Sequence, residues 1–309
     1  RRLPQDGDFN VMMDGRPIDL RVSTMPSKFG EIVVMRIIDS KNNRLSLDSL
    51  GFNEQMLIDW KSIVEQPNGV VLVTGPTGSG KSTTLYSVLS QLDTDEINVA
   101  TIEDPIEAQI RGINQSQINE RAGFTFSTAL RSMLRQDPDV LMVGEVRDSD
   151  TAAIVSQAAL TGHLVFSTLH TNDSISAVTR LVNLGIEPYL VAATVRGVLA
   201  QRLVRKICPH CKTAWEGEDA VRSACGGGDY YIGAGCNRCR GTGFAGRIGI
   251  FELLIPSNEI LEAIGRGASL QELRTLTSHA TLRVDGLEKV AKGLTTPEEV
   301  LCATRSISS

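Results

Sequence analysis

The chain has 309 residues, enough for about two domains with sizeable cores, which makes disorder and a coiled coil poor readings. Hydrophobic residues supply 41% and charged residues 22%, and 28 Gly and 11 Pro provide turns without a low-complexity tract, as in an ordinary soluble α/β protein. The 31 basic and 36 acidic residues leave a net charge of −5, which excludes nucleic-acid binding through bulk charge but not local basic patches.

The chain opens Arg1-Arg2-Leu3-Pro4, with neither an initiator Met nor a signal-peptide pattern. It reads as a fragment whose preceding part is expected to hold a partner-binding domain. Residues 1–39 alternate apolar and polar positions, with turn signals at Asp14-Gly15-Arg16-Pro17 and from Pro26 to Gly30, so a small β-rich N-terminal domain is predicted there. Residues 40–50 lack a buried pattern and read as a linker across which domains could move.

From about Gly51 to 207 the pattern changes to short continuous apolar runs, each followed by a helix-period segment, as in a parallel βαβ array. The runs are Val70 to Thr74, Ile97 to Ile102, Val140 to Val143 and Leu164 to Leu169. Clusters of Gly, acidic residues or His follow them, and ligands of open parallel sheets bind beyond the carboxyl ends of the strands, so one shared site is expected. The most apolar stretch, 189–207, carries Arg196, Arg202, Arg205 and Lys206 and falls short of a membrane span. Residues 208–247 form a Gly-rich insert with two CxxC pairs. Residues 248–309 read as helical, broken at Gly265, Gly267, Gly286 and Gly293.

The segment Gly75-Pro76-Thr77-Gly78-Ser79-Gly80-Lys81-Ser82-Thr83 contains GxxxxGK[ST] between a strand and a helix, the context a phosphate-binding loop requires. Glycines free the backbone to turn its N–H groups and the following helix N-terminus toward phosphate; Lys81 would span the β and γ phosphates and Ser82 would ligate Mg²⁺. Glu145, ending an apolar strand about 60 residues on, is a candidate Mg²⁺ or water-organising carboxylate. Glu103, Asp104 and Glu107 follow another strand, so close that they repel unless a cationic centre such as Mg²⁺·ATP lies among them. One of them is a candidate general base; a solvated acidic loop is the alternative. His163 and His170 fall at opposite ends of the strand 164–169, leaving only His170 on the nucleotide edge, where it could sense the γ-phosphate. For His163 a structural role and a subunit contact stay open.

Cys208-Pro-His-Cys211 and Cys236-Asn-Arg-Cys239 have the spacing of a closed, structural four-thiolate Zn²⁺ site, with His210 as a competing ligand. Cys225 and Cys302 lack metal spacing and read as buried or incidental thiols. Basic residues flank the knuckles, and the segment from Arg196 to Lys212 has five Lys or Arg and no acid. Compensation of the thiolate charge and contact with acidic phospholipid are both compatible with that pattern.

In this order and spacing, GPTGSGKSTTLY, IEDPIE, DPDVLMVGEVRD and TGHLVFSTLHTND resemble the Walker A, Asp box, Walker B and His box of the secretion ATPases, the GspE/PilB/PilT superfamily. The likeness extends to IDLRVSTMPSKFGEIVVMRII upstream and to the cysteine pairs downstream, and the tetracysteine insert favours the type II secretion members over the retraction ATPases. The resemblance implies a RecA-like ATPase domain over 51–207 and Mg²⁺-dependent ATP hydrolysis. It implies Glu107 as catalytic base, Glu145 as organiser of Mg²⁺ and water, and Arg21 and Arg36 as arginines that reach the phosphates when the N-terminal domain closes. Arg131 and Arg135, four apart on a helix, match arginines of the subunit interface. The implied whole is a cytoplasmic homo-hexamer, peripheral on the inner membrane through secretion platform proteins. A type IV pilus assembly ATPase is the alternative within the class. A nucleic-acid translocase is disfavoured by the acidic balance and the lack of an aromatic-basic stripe, and a zinc adaptor without activity by the complete hydrolytic motifs.

Overall fold

The alternating N-terminal segment forms an antiparallel sheet of β1 (Gln5–Met13), β2 (Arg16–Ser27) and β3 (Gly30–Ile38) in the computed structural model. The structure describes every residue except 1–2, 14–15, 39–45, 216, 218–225, 227–228 and 306–309. The expected turn after Pro26 is present at Lys28-Phe29; the one at Asp14-Gly15 lies outside the described residues, as does most of the predicted linker. Ile32, Val33, Val34 and Met35 are consecutive and all exposed, so β3 shows apolar side chains on both faces. At the linker's end the expectation fails: Leu47 and Leu50, three apart, are buried beside Trp60.

Asn53 accepts a hydrogen bond from the Met56 N–H at 2.8 Å and starts α1 (Glu54–Val64), whose buried Met56, Trp60, Ile63 and Val64 trace one helical face. The chain then lays down β4 (Gly69–Thr74), α2 (Lys81–Leu89), β5 (Val99–Glu103), β6 (Asn114–Gln117), α3 (Phe126–Met133), β7 (Val140–Val143), α4 (Ser149–Leu160) and β8 (Leu164–Leu169). Strands β4, β8, β7 and β5 lie parallel in that spatial order and are buried throughout. Side chains along β4 alternate between two cores: Val71 and Val73 face α1 and α2, whereas Val70 and Leu72 face the opposite layer.

That layer holds α3, α4, α5 (Ser174–Asn183) and α6 (Pro188–Thr194). The arginine-bearing apolar stretch becomes α6 followed by the long β9 (Val195–Ile207), parallel to β4. The insert contributes a short hairpin of β10 (Lys212–Ala214) and β11 (Tyr231–Gly233). β12 (Phe244–Leu254) then returns antiparallel to β9. The predicted helical segment therefore begins as a strand. Its run from Ile248 to Leu254 is buried, with Phe251 stacked on Phe52 at 4.1 Å between centroids.

Ser257, Ser269, Thr281 and Thr296 each cap one of the closing helices, α7 (Asn258–Gly265), α8 (Leu270–Leu276), α9 (Leu282–Ala291) and α10 (Pro297–Ala303). Gly286 is not the expected break. It lies inside α9, where a Cβ would meet Val300 Cγ1 at 2.6 Å, so it permits close packing of α9 on α10. The insert shares this core: Trp215 and Tyr230 pack with Val290 and Val300. Among the described residues, no helix is long and apolar enough to cross a membrane.

Asp285 on α9 is buried, accepts the Phe251 N–H at 2.7 Å and pairs with Lys289 one turn on. Asp285→Ala strands the buried ammonium and a β12 donor, and is expected to cost about 3–5 kcal/mol in urea unfolding. A loss below about 1 kcal/mol would show that the pair is not structural.

Candidate functional site

β4 ends at Thr74 and the chain turns sharply into α2. Gly75 has φ +151°, and a Cβ there would come within 2.5 Å of the Gln201 carbonyl oxygen. Gly80, the residue before α2, has φ +91°, and a Cβ there would come within 2.8 Å of Gln201 Nε2. From β9, Gln201 also accepts from Thr84 Oγ1 at 2.7 Å, seating the helix against the neighbouring strand. Among the described residues no side chain caps α2, so the N–H groups of its first turn face the adjacent cavity with the positive end of the helix dipole.

The cavity, about 440 Å³, is lined by Thr77, Gly78, Gly80, Lys81, Ser82 and Thr83, by Glu103 at the end of β5, by Asp104 and Glu107 from the loop that follows, by Glu145 after β7 and by His170 after β8. The segments expected to converge therefore meet. Lys81 Nζ donates to the carbonyl oxygens of Gly75 at 2.9 Å and Pro76 at 3.1 Å. Burial holds its pKa below that of a free lysine; Glu145 and Glu107 oppose that shift, and Arg202 reinforces it. Glu145 Oε1 is paired with Arg147 Nη2 at 2.6 Å, while Oε2 lies 3.4 Å from His170 Nε2. Glu145 Oε2 is buried without a hydrogen-bond partner among the described residues. A carboxylate oxygen without a hydrogen bond, in the cavity that Ser82 also lines, suits a hard, oxygen-seeking cation, so the donor set fits Mg²⁺.

Not every predicted residue faces the cavity in the same way. Pro76 and Ser79 line a neighbouring recess with Asn172 and Arg202. Glu103 is turned into the protein: Tyr86 OH, Thr101 Oγ1 at 2.6 Å and Gln115 Nε2 at 3.1 Å all donate to it. Its carboxylate is thus committed to interior bonds, which leaves Asp104 and Glu107 as the acids of that loop free to act. Arg21 and Arg36, opposite each other on β2 and β3, line an adjoining cavity that shares Pro105 and Glu107 with the first. There Arg21 Nη2 donates to the Ile106 carbonyl at 3.2 Å. His163 Nδ1 lies 2.9 Å from the Ala158 carbonyl, a local contact at the far end of β8. Arg135 falls beyond the end of α3 and donates to the Arg131 carbonyl at 2.8 Å; both residues are exposed.

Sequence reasoning missed Tyr86, Arg147 and Arg202. Arg147, two residues past Glu145, is the cation paired with that partly buried carboxylate. Arg202 is a charge inside a buried run, itself a signal; it is nearly buried and donates to the carbonyl oxygens of Gln201 and Asn172 at 3.0 and 2.9 Å.

The four knuckle cysteines come together with all Sγ atoms within 4.8 Å of one another. Three of the six Sγ separations, 3.9, 3.8 and 3.7 Å, match the edge of about 3.8 Å that a tetrahedron with Zn–S bonds of about 2.3 Å requires. The N–H groups of Cys236 and Gly243 point at Cys239 Sγ, at 3.1 and 3.3 Å, as suits a thiolate. His210 instead has its Nε2 2.7 Å from Arg238 Nη1. Cys302 is exposed rather than buried, and Cys225 lies outside the described residues. In the basic segment Arg205 pairs with Glu299 at 2.6 Å, and Arg196 donates to the carbonyl oxygens of Asn68 and Ala193.

The family described as Type II/IV secretion system protein matches residues 1–302. The chain is 49% identical over 308 residues to the Type II secretion system protein HxcR of Pseudomonas aeruginosa, with 99% of this chain and 63% of that protein covered. It is 48% identical to the Type II secretion system ATPase E of Vibrio cholerae, covering 99% of this chain and 62% of that protein. Against the Type IV pilus assembly ATPase PilB of Thermus thermophilus the identity is 47%, over 98% of this chain and 35% of that one. Of solved structures, the pilus retraction motor PilT with bound ADP aligns with a TM-score of 0.69 and 29% identity, over 97% of this chain and 77% of that chain. The chain thus spans under two thirds of the length of these three sequence relatives.

Metal analysis of the purified protein is expected to give one zinc per chain. Cys208→Ser should lower that stoichiometry and the melting temperature while leaving nucleotide affinity within about twofold. Full metal retention in Cys208→Ser would show that the cluster is not the binding site.

Proposed function

The chain belongs to the type II/IV secretion system protein family, and from that premise we propose that it hydrolyses ATP as the motor part of a protein-export machine. The observation carrying this reading is the meeting, in one cavity, of the uncapped α2 N-terminus, Lys81, Glu107, His170 and the unpartnered oxygen of Glu145.

On this reading the triphosphate lies along the N–H groups of the 75–80 loop and α2. Lys81 exchanges its two carbonyl partners for β- and γ-phosphate oxygens. Ser82 and Glu145 would hold Mg²⁺, whose role is to neutralise charge on the β- and γ-oxygens. Glu107 takes a proton from water as the water oxygen bonds to the γ-phosphorus and the bond to the β–γ bridging oxygen breaks, giving ADP and phosphate. His170 reports the γ-phosphate to Glu145. Arg21 and Arg36 bring positive charge from the N-terminal sheet, so that nucleotide state and the position of that sheet are linked. The zinc-held insert is structural, since four thiolates leave no open position.

The assembly proposed is a homo-hexamer at the cytoplasmic face of the inner membrane, held by secretion platform proteins and serving type II secretion. The identity to a type IV pilus assembly ATPase supports pilus assembly as the second reading. Acidic phospholipid has less in its favour, because Arg196, Arg202 and Arg205 are engaged within the chain.

Phosphate release by the full-length protein tests the assignment. Lys81→Ala should lose turnover by about a hundredfold or more. Glu145→Ala should bind ATP yet turn over at about a hundredth of the parental rate. Undiminished turnover by Lys81→Ala would sink the proposal, and capture of the bound platform proteins from membranes separates secretion from pilus assembly.

A further inference from the structure

The peptide group joining Ile106 to Glu107 is gripped from both sides. Its N–H donates to the Tyr86 hydroxyl at 3.1 Å, and its carbonyl oxygen accepts from Arg21 Nη2 at 3.2 Å. Tyr86 belongs to α2, five residues past Lys81, and its ring is buried. Its hydroxyl proton is directed at Glu103, which leaves a lone pair free for Glu107. Thr101 on β5 and Gln115 on β6 in turn hold Glu103 in place. Burial and the bond to Glu103 both push the Tyr86 pKa up, so the hydroxyl keeps its proton.

We infer that Tyr86 is a positioning residue for Glu107, and that Arg21 acts on Glu107 through the same peptide rather than through phosphate alone. The inference rests on Glu107 being the base. A peptide is planar, so fixing its N–H and C=O fixes the Glu107 Cα and leaves only φ and the side-chain torsions to place the carboxylate. Tyr86 ties that plane to the helix that begins at Lys81 and Ser82, keeping base and phosphate site in one frame. Arg21 approaches from the N-terminal sheet. Its charge polarises the carbonyl and strengthens the N–H bond to Tyr86, so displacement of the sheet moves and loosens the base together.

The test uses the full-length protein. Tyr86→Phe should lower kcat about tenfold with KM for ATP and nucleotide affinity within about twofold of the parent, because the lost bond serves the base and not the phosphates. Tyr86→Phe combined with Glu107→Gln should be no slower than Glu107→Gln alone, since both act on one group. Amide exchange over residues 104–110 should quicken at Glu107 in Tyr86→Phe. If that variant proves unstable, Tyr86→Phe with Glu103→Gln removes the carboxylate's demand for the hydroxyl donor and permits the same exchange comparison. Parental kcat in Tyr86→Phe, additive losses in the double variant or unchanged exchange at Glu107 would each overturn the anchoring role. Parental turnover in Glu107→Gln would instead overturn the assignment of the base, with the exchange result still deciding whether Tyr86 holds the peptide.

Discussion

Parallel pairing of β4, β8, β7 and β5 is the constraint on which the rest depends. Thr74 sits opposite Leu169, Ser167 opposite Val143, and Val143 opposite Ile102, so all four strands end along one edge of the sheet. Residues spread over about 90 positions, from Lys81 to His170, become neighbours only because that register holds. The pairing also hands the loop after β4 directly to α2, whose free N–H groups then need an anionic partner that no side chain among the described residues supplies. Continuous burial on both faces makes the register costly to shift, because a slip by one residue would exchange the two cores.

Behind the cavity, the loop after β8 is fastened to the closing helices. Thr171 N–H donates to Thr74 Oγ1 at 2.9 Å, and Asp173 pairs with Arg274 of α8 at 2.7 Å. Ser174 donates both its N–H and its hydroxyl to Glu252, which also takes the Leu282 N–H at the start of α9. Burial would raise the Glu252 pKa, but His279 and Ser174 outweigh it and hold the carboxyl below its ordinary value. The loop carrying His170 is thus one node of a network running from β4 to the last helices.

Where structure follows from local pattern, the sequence was legible. Four buried runs, the glycine-lysine loop and the cysteine spacing each announce themselves within a few residues. Features that need a distant partner did not. Ile248 to Leu254 is apolar apart from Glu252 but too short to separate strand from helix until β9 lies beside it. Glu103 looks like Glu107 until Tyr86, Thr101 and Gln115 claim its oxygens. Trp215 and Tyr230 sat in a stretch weak in periodicity, and only α9 and α10 give them a core. Gly286 resembled a helix break because composition cannot reveal that Val300 occupies the space of its missing side chain.

β4 stops pairing with β9 at Ala200, yet β9 continues to Ile207 with β12 hydrogen-bonded alongside. At about 3.3 Å per residue the two-stranded ribbon overhangs the sheet by roughly 23 Å, on the side where the cavity opens. Cys208 follows directly at its tip, while Gln201, which seats Thr84 and crowds Gly75 and Gly80, lies at its root. The ribbon is braced along this length: the Arg205 N–H donates to Glu299 at 2.9 Å, and the Ile207 N–H to the Leu294 carbonyl oxygen at 2.9 Å. A load on the cysteine knuckle would therefore be divided between the closing helices that brace the ribbon and Gln201 at its root, beneath the 75–80 loop.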